Sequence, residues 1–304
     1  AVGVADAIQK RSEAQPKDEV SVGKDEIFAM DTVMDLTVYA KDTEKVLSAG
    51  RKLITQYEQH FSVNIEDSDI SKCNRAEGKP VKVSDETYDL IRISKEMTEK
   101  TDGLFDISIY PIVRAWGFTT QDYKIPDESE RKKLLSYVDA SGITLGDDNT
   151  VTLKKGMEID LGGIAKGYIA DQMKAQLRSD GITEGIINLG GNVLTVGPKK
   201  SGDTYKIGIQ KPFDDSGSPI ASVDITDASL VSSGVYERYF EKDGKRYHHI
   251  LNPKTGYPYE NGLLGVTIIT DSSVDADALS TTCFALGLED GMKLIENTKG
   301  AEAV

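Results

Sequence analysis

The sequence contains no apolar run close to the ~20 residues that a membrane-spanning helix needs, so no transmembrane helix is expected. It also lacks the basic segment followed by an apolar stretch that is typical of a secretory signal. Basic residues are outnumbered, with 36 Lys and Arg against 50 Asp and Glu and a net charge of −14. This excess of acid argues against wide contact with nucleic acid, because phosphate binding over a surface needs a basic stripe. The acidic composition does not exclude a single phosphate ligand, which a few lysines or a metal could hold.

Cysteine is scarce as well, and Cys73 and Cys283 stand far apart without metal-ligand spacing. We expect two free thiols, because a chain of 304 residues buries enough core to need no disulfide. Cysteine usage therefore leaves the cellular compartment open.

The chain divides into a polar start and a structured body. Residues 1–26 are charge-rich and predict a flexible leader, with one loose helix near Ala5–Ser12. Residues 27–304 are expected to form one domain in which helices and strands mix without regular βαβ alternation. This favours an α+β fold with mixed or antiparallel sheets packed with helices, a single compact body with two intimate halves. Helices are predicted at 43–61, from 84, from 126, at 164–177 and at 275–286, and strands at 33–40, 150–153, 185–188, 205–210, 220–225, 246–251 and 264–269.

The segment 160–167, DLGGIAKG, predicts a strand that ends at Asp160, a tight turn at two glycines and a helix with Lys166 in its first turn. The unpaired N–H groups and partial positive charge of a helix N terminus favour a phosphate, and the lysine adds a full charge. The spacing fits neither a Walker A loop nor a dinucleotide fingerprint. On local features alone, the alternative is a plain strand-to-helix turn with a solvated lysine.

The segment 275–281, DADALST, is expected to open the last helix. Asp277 and Thr281 are four residues apart and therefore share one helix face. A carboxylate and a hydroxyl are hard oxygen ligands of the kind that Mg²⁺ takes together with water and substrate phosphates. The alternative is ordinary capping of a helix start by acidic residues.

Two of the three histidines, His248 and His249, are adjacent and precede the turn-forming residues 252–256, NPKTG, in a predicted hairpin. Neighbouring residues of a strand point to opposite faces, so at most one of the two faces a pocket that the other does not. A histidine beside a phosphate site is a candidate general base, because its pKa lies near neutrality. The alternative is two half-exposed strand histidines.

Two further segments combine apolar runs with polar or flexible residues. Residues 101–118 are expected to join a helix end to an apolar strand and then to Trp116, the only tryptophan. Asp106 inside this run needs either a buried hydrogen-bond partner or a ligand. In 187–192, INLGGN, paired glycines break a strand and indicate a bulge or a close backbone approach, with structure and function equally open.

Eight motifs follow one another along the chain: MDT at 30–32, FSVNIEDSDISKCN at 61–74, TDGLFDISIYPIVRAWGF at 101–118, IDLGGIAKGYIAD at 159–171, INLGGN at 187–192, SSGVYERYF at 232–240, HILNPKTGYP at 249–258 and DADALSTTCFALG at 275–287. This succession closely resembles the ApbE family, whose members are FAD:protein FMN transferases. The resemblance covers nearly everything from Ile27 onward and implies an ApbE-like fold. DLGGIAKG, HILNPKTG and ADALST together make it specific.

The resemblance also implies roles for individual residues. Asp277, Thr281 and the backbone carbonyl of Gly163 would hold Mg²⁺, whereas Ser280 stands where some relatives have a further acid. His249 would be the catalytic base, and Lys166 would neutralise the pyrophosphate. The positions that would contact FAD are Met30, Asn64, Leu104, Phe105, Asp106, Asp160, Lys166 and Ile250.

Three features depart from the family pattern. Asn64 stands where many relatives have an aromatic residue near the cofactor, which leaves the balance between transfer and hydrolysis of FAD open. Asp31 replaces the usual glycine of an MGT motif. The chain also stops at Val304, short of a final strand that is common in relatives, so a truncated or missing tail is expected.

The implied reaction moves FMN from FAD to a Thr or Ser hydroxyl of an acceptor flavoprotein, in a motif resembling Asp-(any)2-Ser/Thr-Gly-Ala-Thr, and releases AMP. Family members commonly work outside the cytoplasmic membrane as lipoproteins or periplasmic proteins, so an anchored, extracytoplasmic location is expected. One alternative keeps the site but lets water attack, which gives a Mg²⁺-dependent FAD pyrophosphatase. The other is a non-catalytic flavin-binding protein at the cell surface.

Overall fold

The computed structural model describes residues 19–214 and 216–304. The helix expected near Ala5–Ser12 lies outside these residues. The expected start of order at Ile27 is wrong, because the first strand begins at Ser21 and pairs with the next strand along its whole length. The leader expected over 1–26 therefore includes the first part of a strand. Three consecutive charged residues, 24–26, hide that strand from a search for apolar alternation.

The described residues contain eight α-helices, two short 3₁₀ turns and fourteen strands. The helices are α1 Thr43–Phe61, α2 Asp69–Arg75, α3 Asp85–Lys100, α4 Tyr110–Ala115, α5 Glu128–Leu135, α6 Ala165–Ser179, α7 Ser273–Leu286 and α8 Leu288–Glu296. The strands are β1 Ser21–Ala29, β2 Thr32–Ala40, β3 Val81–Lys82, β4 Ile143–Gly146, β5 Thr150–Leu153, β6 Gly185–Leu189, β7 Asn192–Val196, β8 Tyr205–Gln210, β9 Pro219–Ile225, β10 Ser229–Gly234, β11 Tyr239–Lys242, β12 Lys245–His248, β13 Gly265–Thr270 and β14 Glu302–Ala303.

The largest sheet has seven strands in the order β1-β2-β6-β7-β10-β13-β14, and each neighbouring pair is antiparallel. Three smaller antiparallel sheets have the orders β3-β5-β4, β8-β9 and β11-β12. Antiparallel strands thus combine with helices that do not alternate regularly with them. The α+β prediction is confirmed.

The main core lies between one face of the seven-stranded sheet and helices α1 and α6. Met34 and Leu36 of β2, Ile54 of α1 and Ile169 of α6 are at most 2% exposed and belong to this core. Helix α7 lies beside α6 and also packs against β10 and β13. Burial of these apolar side chains fixes the positions of α6 and α7, whose N-terminal parts carry the candidate phosphate and metal residues.

Several local predictions are confirmed. The helix expected at 43–61 has these bounds, and Ser84 caps α3 by accepting a hydrogen bond from the backbone N–H of Thr87. Cys73 and Cys283 are both free and buried, and burial raises the pKa of the Cys73 thiol to about 12 and that of Cys283 to about 11. No helix of the described residues is long and apolar enough to cross a bilayer.

Two predicted strands are wrong. The apolar run after Asp106 forms a 3₁₀ turn at Ile107–Ile109 and then α4, because Asp106 caps the turn and Pro111 suits the first turn of a helix. The strand expected to end at Asp160 is absent from the strands of the described residues. The backbone N–H and C=O of Ile159 are instead paired with the side-chain amide of Asn74, at 2.8 and 2.9 Å.

Candidate active site

The candidate site lies at one end of the seven-stranded sheet, where two hairpin turns meet. Met30 and Asp31 form the β1–β2 turn with φ of 51° and 59°, and Gly190 and Gly191 form the β6–β7 turn with φ of 61° and 91°. Two-residue turns with positive φ at both positions match the twist of the flanking strands. A Cβ atom at Gly190 would lie 2.4 Å from the Thr32 hydroxyl, so the turns touch and the predicted close backbone approach is confirmed.

The β1–β2 turn is fixed by two hydrogen bonds. The backbone N–H of Met30 donates to Glu58 Oε1 at 2.7 Å, and Asn64 Nδ2 donates to Asp31 Oδ2 at 3.0 Å. Aspartate tolerates the left-handed conformation better than most residues, which explains how it occupies a turn position suited to glycine. The two positions that depart from the family pattern, Asp31 and Asn64, are therefore hydrogen-bonded to each other.

The loop before α6 forms the next part of the site. The backbone N–H of Asp160 donates to the Ile107 carbonyl at 3.0 Å, and the N–H of Gly162 donates to Asp160 Oδ1 at 3.0 Å. A Cβ at Gly163 would lie 3.4 Å from the Phe105 ring. The segment around 101–118 and the DLGGIAKG segment, which are separated in sequence, are therefore in contact.

Lys166 lies in the first turn of α6, as predicted, and its Nζ is 3.5 Å from the Gly162 carbonyl oxygen. Burial raises the pKa of both Asp160 and Asp277, and the Lys166 charge opposes this rise at each carboxyl. The same charge adds to the lowering of the His249 pKa. Lys166 is thus close enough to act electrostatically on all three groups.

Helices α6 and α7 meet at a glycine. The backbone N–H of Gly167 donates to Asp277 Oδ2 at 2.8 Å, and a Cβ at Gly167 would lie only 2.3 Å from the Ser273 carbonyl oxygen. The absent side chain therefore permits the close approach that brings Asp277 to the start of α6. Asp277 is 5% exposed, and its burial raises the pKa of the carboxyl.

The hydroxyls on α7 have different surroundings. Thr281 is half-buried on the same helix face as Asp277, one turn later. Ser280 is fully buried, with its Oγ 2.7 Å from Ser233 Oγ and 2.8 Å from the backbone carbonyl of Asp277. Ser280 therefore has partners within the protein that account for its hydroxyl.

Asn192, from the INLGGN segment, lies against Asp277. Its Oδ1 accepts a hydrogen bond from Ser273 Oγ at 2.8 Å, and Ser229 Oγ donates to Ser273 Oγ at 2.8 Å. Asn192 Nδ2 is buried and makes no hydrogen bond of good geometry. The Asn192 amide nevertheless lies close enough to Asp277 to lower the pKa of its carboxyl. The buried hydroxyl chain thus orients the amide toward the acid.

The donor set suits one hard divalent cation. Among residues 19–214 and 216–304 no cluster of three or more His, Cys, Asp or Glu side chains could hold a metal. The expected metal site differs from such a cluster, because its donors would be one carboxylate, one hydroxyl and one backbone carbonyl. Three protein donors leave coordination positions for water and phosphate oxygens, as Mg²⁺ prefers. The residues Asp277, Thr281 and Gly163 fit such an ion by their chemistry.

The two adjacent histidines have different roles in the structure. Both ring nitrogens of His248 are used, because Nε2 lies 2.9 Å from the Tyr259 carbonyl and Nδ1 accepts from the Ile250 N–H at 3.3 Å. His249 Nδ1 lies 3.2 Å from the Arg238 carbonyl. A carbonyl oxygen only accepts, so Nδ1 carries the proton and Nε2 of the neutral ring is free to accept one. The prediction that the two differ in environment is confirmed.

The pKa of His249 is lowered to about 3, chiefly by burial and then by the positive charge of Arg238. The expectation of a pKa near neutrality is therefore wrong for His249, whose imidazole is neutral and able to accept a proton at physiological pH. Phe118 contacts it edge to face, with ring centroids 6.4 Å apart, and fixes one side of the ring.

Asp106 has buried hydrogen-bond partners. Its Oδ1 accepts from the Ser108 backbone N–H and hydroxyl, and its Oδ2 accepts from the Ala140 N–H. A cavity of about 350 Å³ borders both Asp106 and Lys254 of the turn after His249. The hydrogen bond from Trp116 Nε1 to the Gly256 carbonyl, 2.8 Å long, joins the same two segments.

The remaining expected contact positions lie near these elements. Leu104 is half-buried and follows α3, where its backbone N–H donates to the Thr101 carbonyl. Ile250 is buried directly after His249. Asp31 connects three of the other expected positions. It follows Met30 in the chain and accepts the hydrogen bond from Asn64, and its charge is one of the influences that raise the pKa of Asp160.

A model of the ApbE family matches residues 30–304. The chain belongs to the ApbE family. The FAD:protein FMN transferase of Klebsiella pneumoniae (strain 342) is 38% identical to it, over 88% of this chain and 84% of that protein. The protein of the same name from Treponema pallidum (strain Nichols) is 33% identical, over 90% of this chain and 81% of its own length. The crystal structure of the ApbE protein from Thermotoga maritima superimposes with a TM-score of 0.86 at 33% identity and 93% coverage of both chains.

Three residues that contact the candidate site in the structure were not singled out from the sequence. Arg238 holds His249 through its backbone carbonyl and acts on its pKa. Asn192 contacts Asp277, and Glu58 holds the Met30 turn. The motifs SSGVYERYF and INLGGN contain the first two but carry no local pattern that gives them a chemical role, whereas Glu58 has the ordinary pattern of an acid on an amphipathic helix.

Proposed function

We propose that this chain is an FAD:protein FMN transferase, which transfers FMN from FAD to a Thr or Ser hydroxyl of an acceptor flavoprotein and releases AMP. Membership of the ApbE family and the names of the relatives support this activity. The observation that carries it is the free Nε2 of neutral His249 in the same electrostatic neighbourhood as Lys166 and the buried Asp277.

FAD binding is proposed at the rim formed by the Met30 turn, the Phe105–Asp106 loop and the start of α6. Lys166 and the partial positive charge at the start of α6 favour the pyrophosphate, so a protein of net charge −14 provides a local positive site for it. Asp277, Thr281 and the Gly163 carbonyl would hold Mg²⁺, which when bound would neutralise phosphate charge as a Lewis acid.

His249 is proposed to accept the proton of the acceptor hydroxyl at Nε2, while Nδ1–H stays bonded to the Arg238 carbonyl. The hydroxyl oxygen then bonds to the FMN phosphorus and the P–O bond to the AMP phosphate breaks, so AMP departs with the bridging electron pair. Lys166 favours the negative charge that accumulates on the phosphate oxygens. The products are a phosphoester-linked FMN on the acceptor and AMP.

The test is mass spectrometry of a purified acceptor domain incubated with the chain, FAD and Mg²⁺. We expect a mass gain equal to one FMN unit on a single Thr or Ser, with one AMP released per modified acceptor. An acceptor with that hydroxyl replaced by Ala or Val is the control. An unmodified competent acceptor would contradict the proposal.

FAD hydrolysis is a second candidate activity, and the Asn64 side chain favours it. Asn64 is exposed and bonded to Asp31, so it supplies no aromatic surface over a flavin. Water could then take the place of the acceptor hydroxyl and give FMN and AMP. Chromatography of FAD incubated with the chain and Mg²⁺ but no acceptor separates the two reactions, because only hydrolysis releases AMP there. A non-catalytic flavin binder has less support, since binding does not require an imidazole with a free nitrogen.

We further propose an anchored, extracytoplasmic location, supported by the resemblance to family members that work as lipoproteins or periplasmic proteins. Fractionation of cells that produce the full-length protein tests this location. Recovery in the cytoplasmic fraction alone would contradict it.

A further inference from the structure

The hairpin that forms one rim of the site carries the most exposed large apolar side chain of the described residues. Phe28 of β1 is 74% exposed, and Val33 of β2 is 46% exposed. They are register partners in the antiparallel pair, so their side chains lie next to each other on one face of the sheet. Both flank the Met30–Asp31 turn.

Elsewhere on that sheet face, the apolar side chains are covered by other parts of the protein. Ile186, Leu230 and Ile269 lie on the same face by register and are covered by a cluster from the β8–β9 hairpin. Phe28 and Val33 lie at the opposite end and stay exposed. The fold thus buries the apolar residues of this face under the β8–β9 hairpin and leaves those that flank the Met30 turn open to solvent.

Strand β1 also has an outer edge whose backbone N–H and C=O groups could pair with another strand. It is the outermost strand of the seven-stranded sheet, and no strand within residues 19–214 and 216–304 pairs with its outer edge. An extended peptide can add to such an edge, with main-chain hydrogen bonds for affinity and surface contacts of alternate side chains for specificity. Phe28 is two residues from Met30, about 7 Å along a strand.

We propose that Phe28, Val33 and the outer edge of β1, here named the hairpin surface, dock an extended segment of the acceptor polypeptide. This inference rests on the proposed function, which requires a protein substrate to bring a hydroxyl to the flavin phosphate. A segment on the hairpin surface would run toward the Met30 turn, the rim across which its Thr or Ser would enter the site. The complementary feature of the acceptor is an apolar residue close to the modified hydroxyl.

The surface fits a peptide segment better than a second copy or a bilayer. A stable dimer buries about 1,200 Å² or more, which two apolar side chains do not supply. The neighbouring outward residues Lys24 and Glu26 are exposed and of opposite charge, and the net charge of −14 disfavours an anionic lipid surface.

The test compares Phe28→Ser with Leu288→Ser at saturating FAD and Mg²⁺. Leu288 is 66% exposed and lies beyond the C-terminal end of α7, so it is a matched apolar control away from the site. We expect Phe28→Ser to raise the KM for the acceptor at least about fivefold, while kcat and the Kd for FAD stay unchanged. Leu288→Ser should alter none of them. An unchanged acceptor KM in Phe28→Ser, with transfer intact in the unmodified chain, would overturn the docking inference alone.

Three further measurements identify what binds the hairpin surface. A photo-crosslinking amino acid placed at position 28 should capture the acceptor next to its modified residue, and capture only at distant acceptor residues would overturn the inference. Light scattering and vesicle flotation of the unmodified chain and Phe28→Ser test the rivals: a dimer, or vesicle binding, that depends on Phe28 would also overturn it. If the unmodified chain transfers no FMN to a competent acceptor, the proposed function itself fails, which is a different result.

Discussion

The backbone N–H of Gly167 donates a 2.8 Å hydrogen bond to the Asp277 carboxylate, across 110 residues of sequence. This bond ties the start of α6, which carries Lys166, to the acid on α7. Oδ2 accepts this bond, and the carboxylate keeps further lone pairs for another ligand. The N terminus of α6, which favours a phosphate, is therefore held directly against Asp277, the candidate metal ligand.

We predict that Asp277→Ala abolishes Mg²⁺ dependence and lowers transfer at least about 100-fold, because a Lewis acid contributes several kcal/mol to stabilising transition-state charge. Initial rates over a Mg²⁺ titration measure this, together with Mg²⁺ binding by calorimetry. Asp275→Ala, two residues earlier in α7, is the control and should retain the wild-type response. Wild-type rates in Asp277→Ala would contradict the metal site. Because Asp277 is buried, Thr281→Val provides a second variant in which Mg²⁺ affinity should also fall.

Asn192 is predicted to be a positioning residue for Asp277. Asn192→Ala should weaken Mg²⁺ binding about 10- to 100-fold, since groups that orient a metal ligand have effects of this size. The concentration of Mg²⁺ for half-maximal activity and direct Mg²⁺ calorimetry measure it. Saturating Mg²⁺ should restore most of kcat, whereas a loss that Mg²⁺ does not relieve would indicate a merely structural role.

His249→Ala is predicted to lower kcat by about 10²- to 10⁴-fold, the usual contribution of a positioned general base, while FAD still binds. Single-turnover transfer measures the first effect and flavin fluorescence the second. His248→Ala, which changes the buried neighbour, should instead lower the melting temperature. Unchanged turnover in His249→Ala would remove this residue as the base.

The pH profile should reflect the lowered pKa of His249. A folded pKa of about 3 means that the neutral, proton-accepting form persists as pH falls well below 6.5. The acid limb of kcat/KM due to this group should therefore lie below about pH 5, because kcat/KM reports the free enzyme. Arg238→Gln removes a positive charge but keeps the backbone carbonyl, so it should move that limb to higher pH. A limb near 6.5 in the unmodified chain would contradict this electrostatic account.

Asp69 should make stability depend on pH. Burial alone would raise its pKa, but hydrogen bonds from Ser84 and Thr87 and the nearby His60 outweigh it and lower the pKa. A lowered folded pKa gives stability above the unfolded value near 4 that is lost as pH falls through the folded pKa. Asp69→Asn should therefore cost about 1–3 kcal/mol at pH 7 and less at pH 3, by urea unfolding. The exposed Asp67→Asn is the control, and an equal cost at both pH values would contradict the argument.

Much of the site was predictable because its residues lie in short segments with local chemical meaning. The glycines before Lys166 predicted a helix start, and the four-residue spacing of Asp277 and Thr281 predicted a shared face, both as found. The adjacent histidines predicted opposite environments but not which one would be free. That depended on the Arg238 carbonyl and the Tyr259 carbonyl, which pair with His249 and His248 from other segments.

By itself, the sequence determined the α+β class, the positions of most helices and strands, the free state of both cysteines and the family resemblance, because periodicity, capping and motif order are local properties of a chain. Only the tertiary structure decided that Asn64 pairs with Asp31, that Asn192 faces Asp277 and that Phe28 stays exposed beside the site. The apolar run after Asp106 also became a 3₁₀ turn and helix rather than a strand. The physical reason is the same in each case: these features depend on contacts between segments far apart in sequence, which form only when the core brings them together.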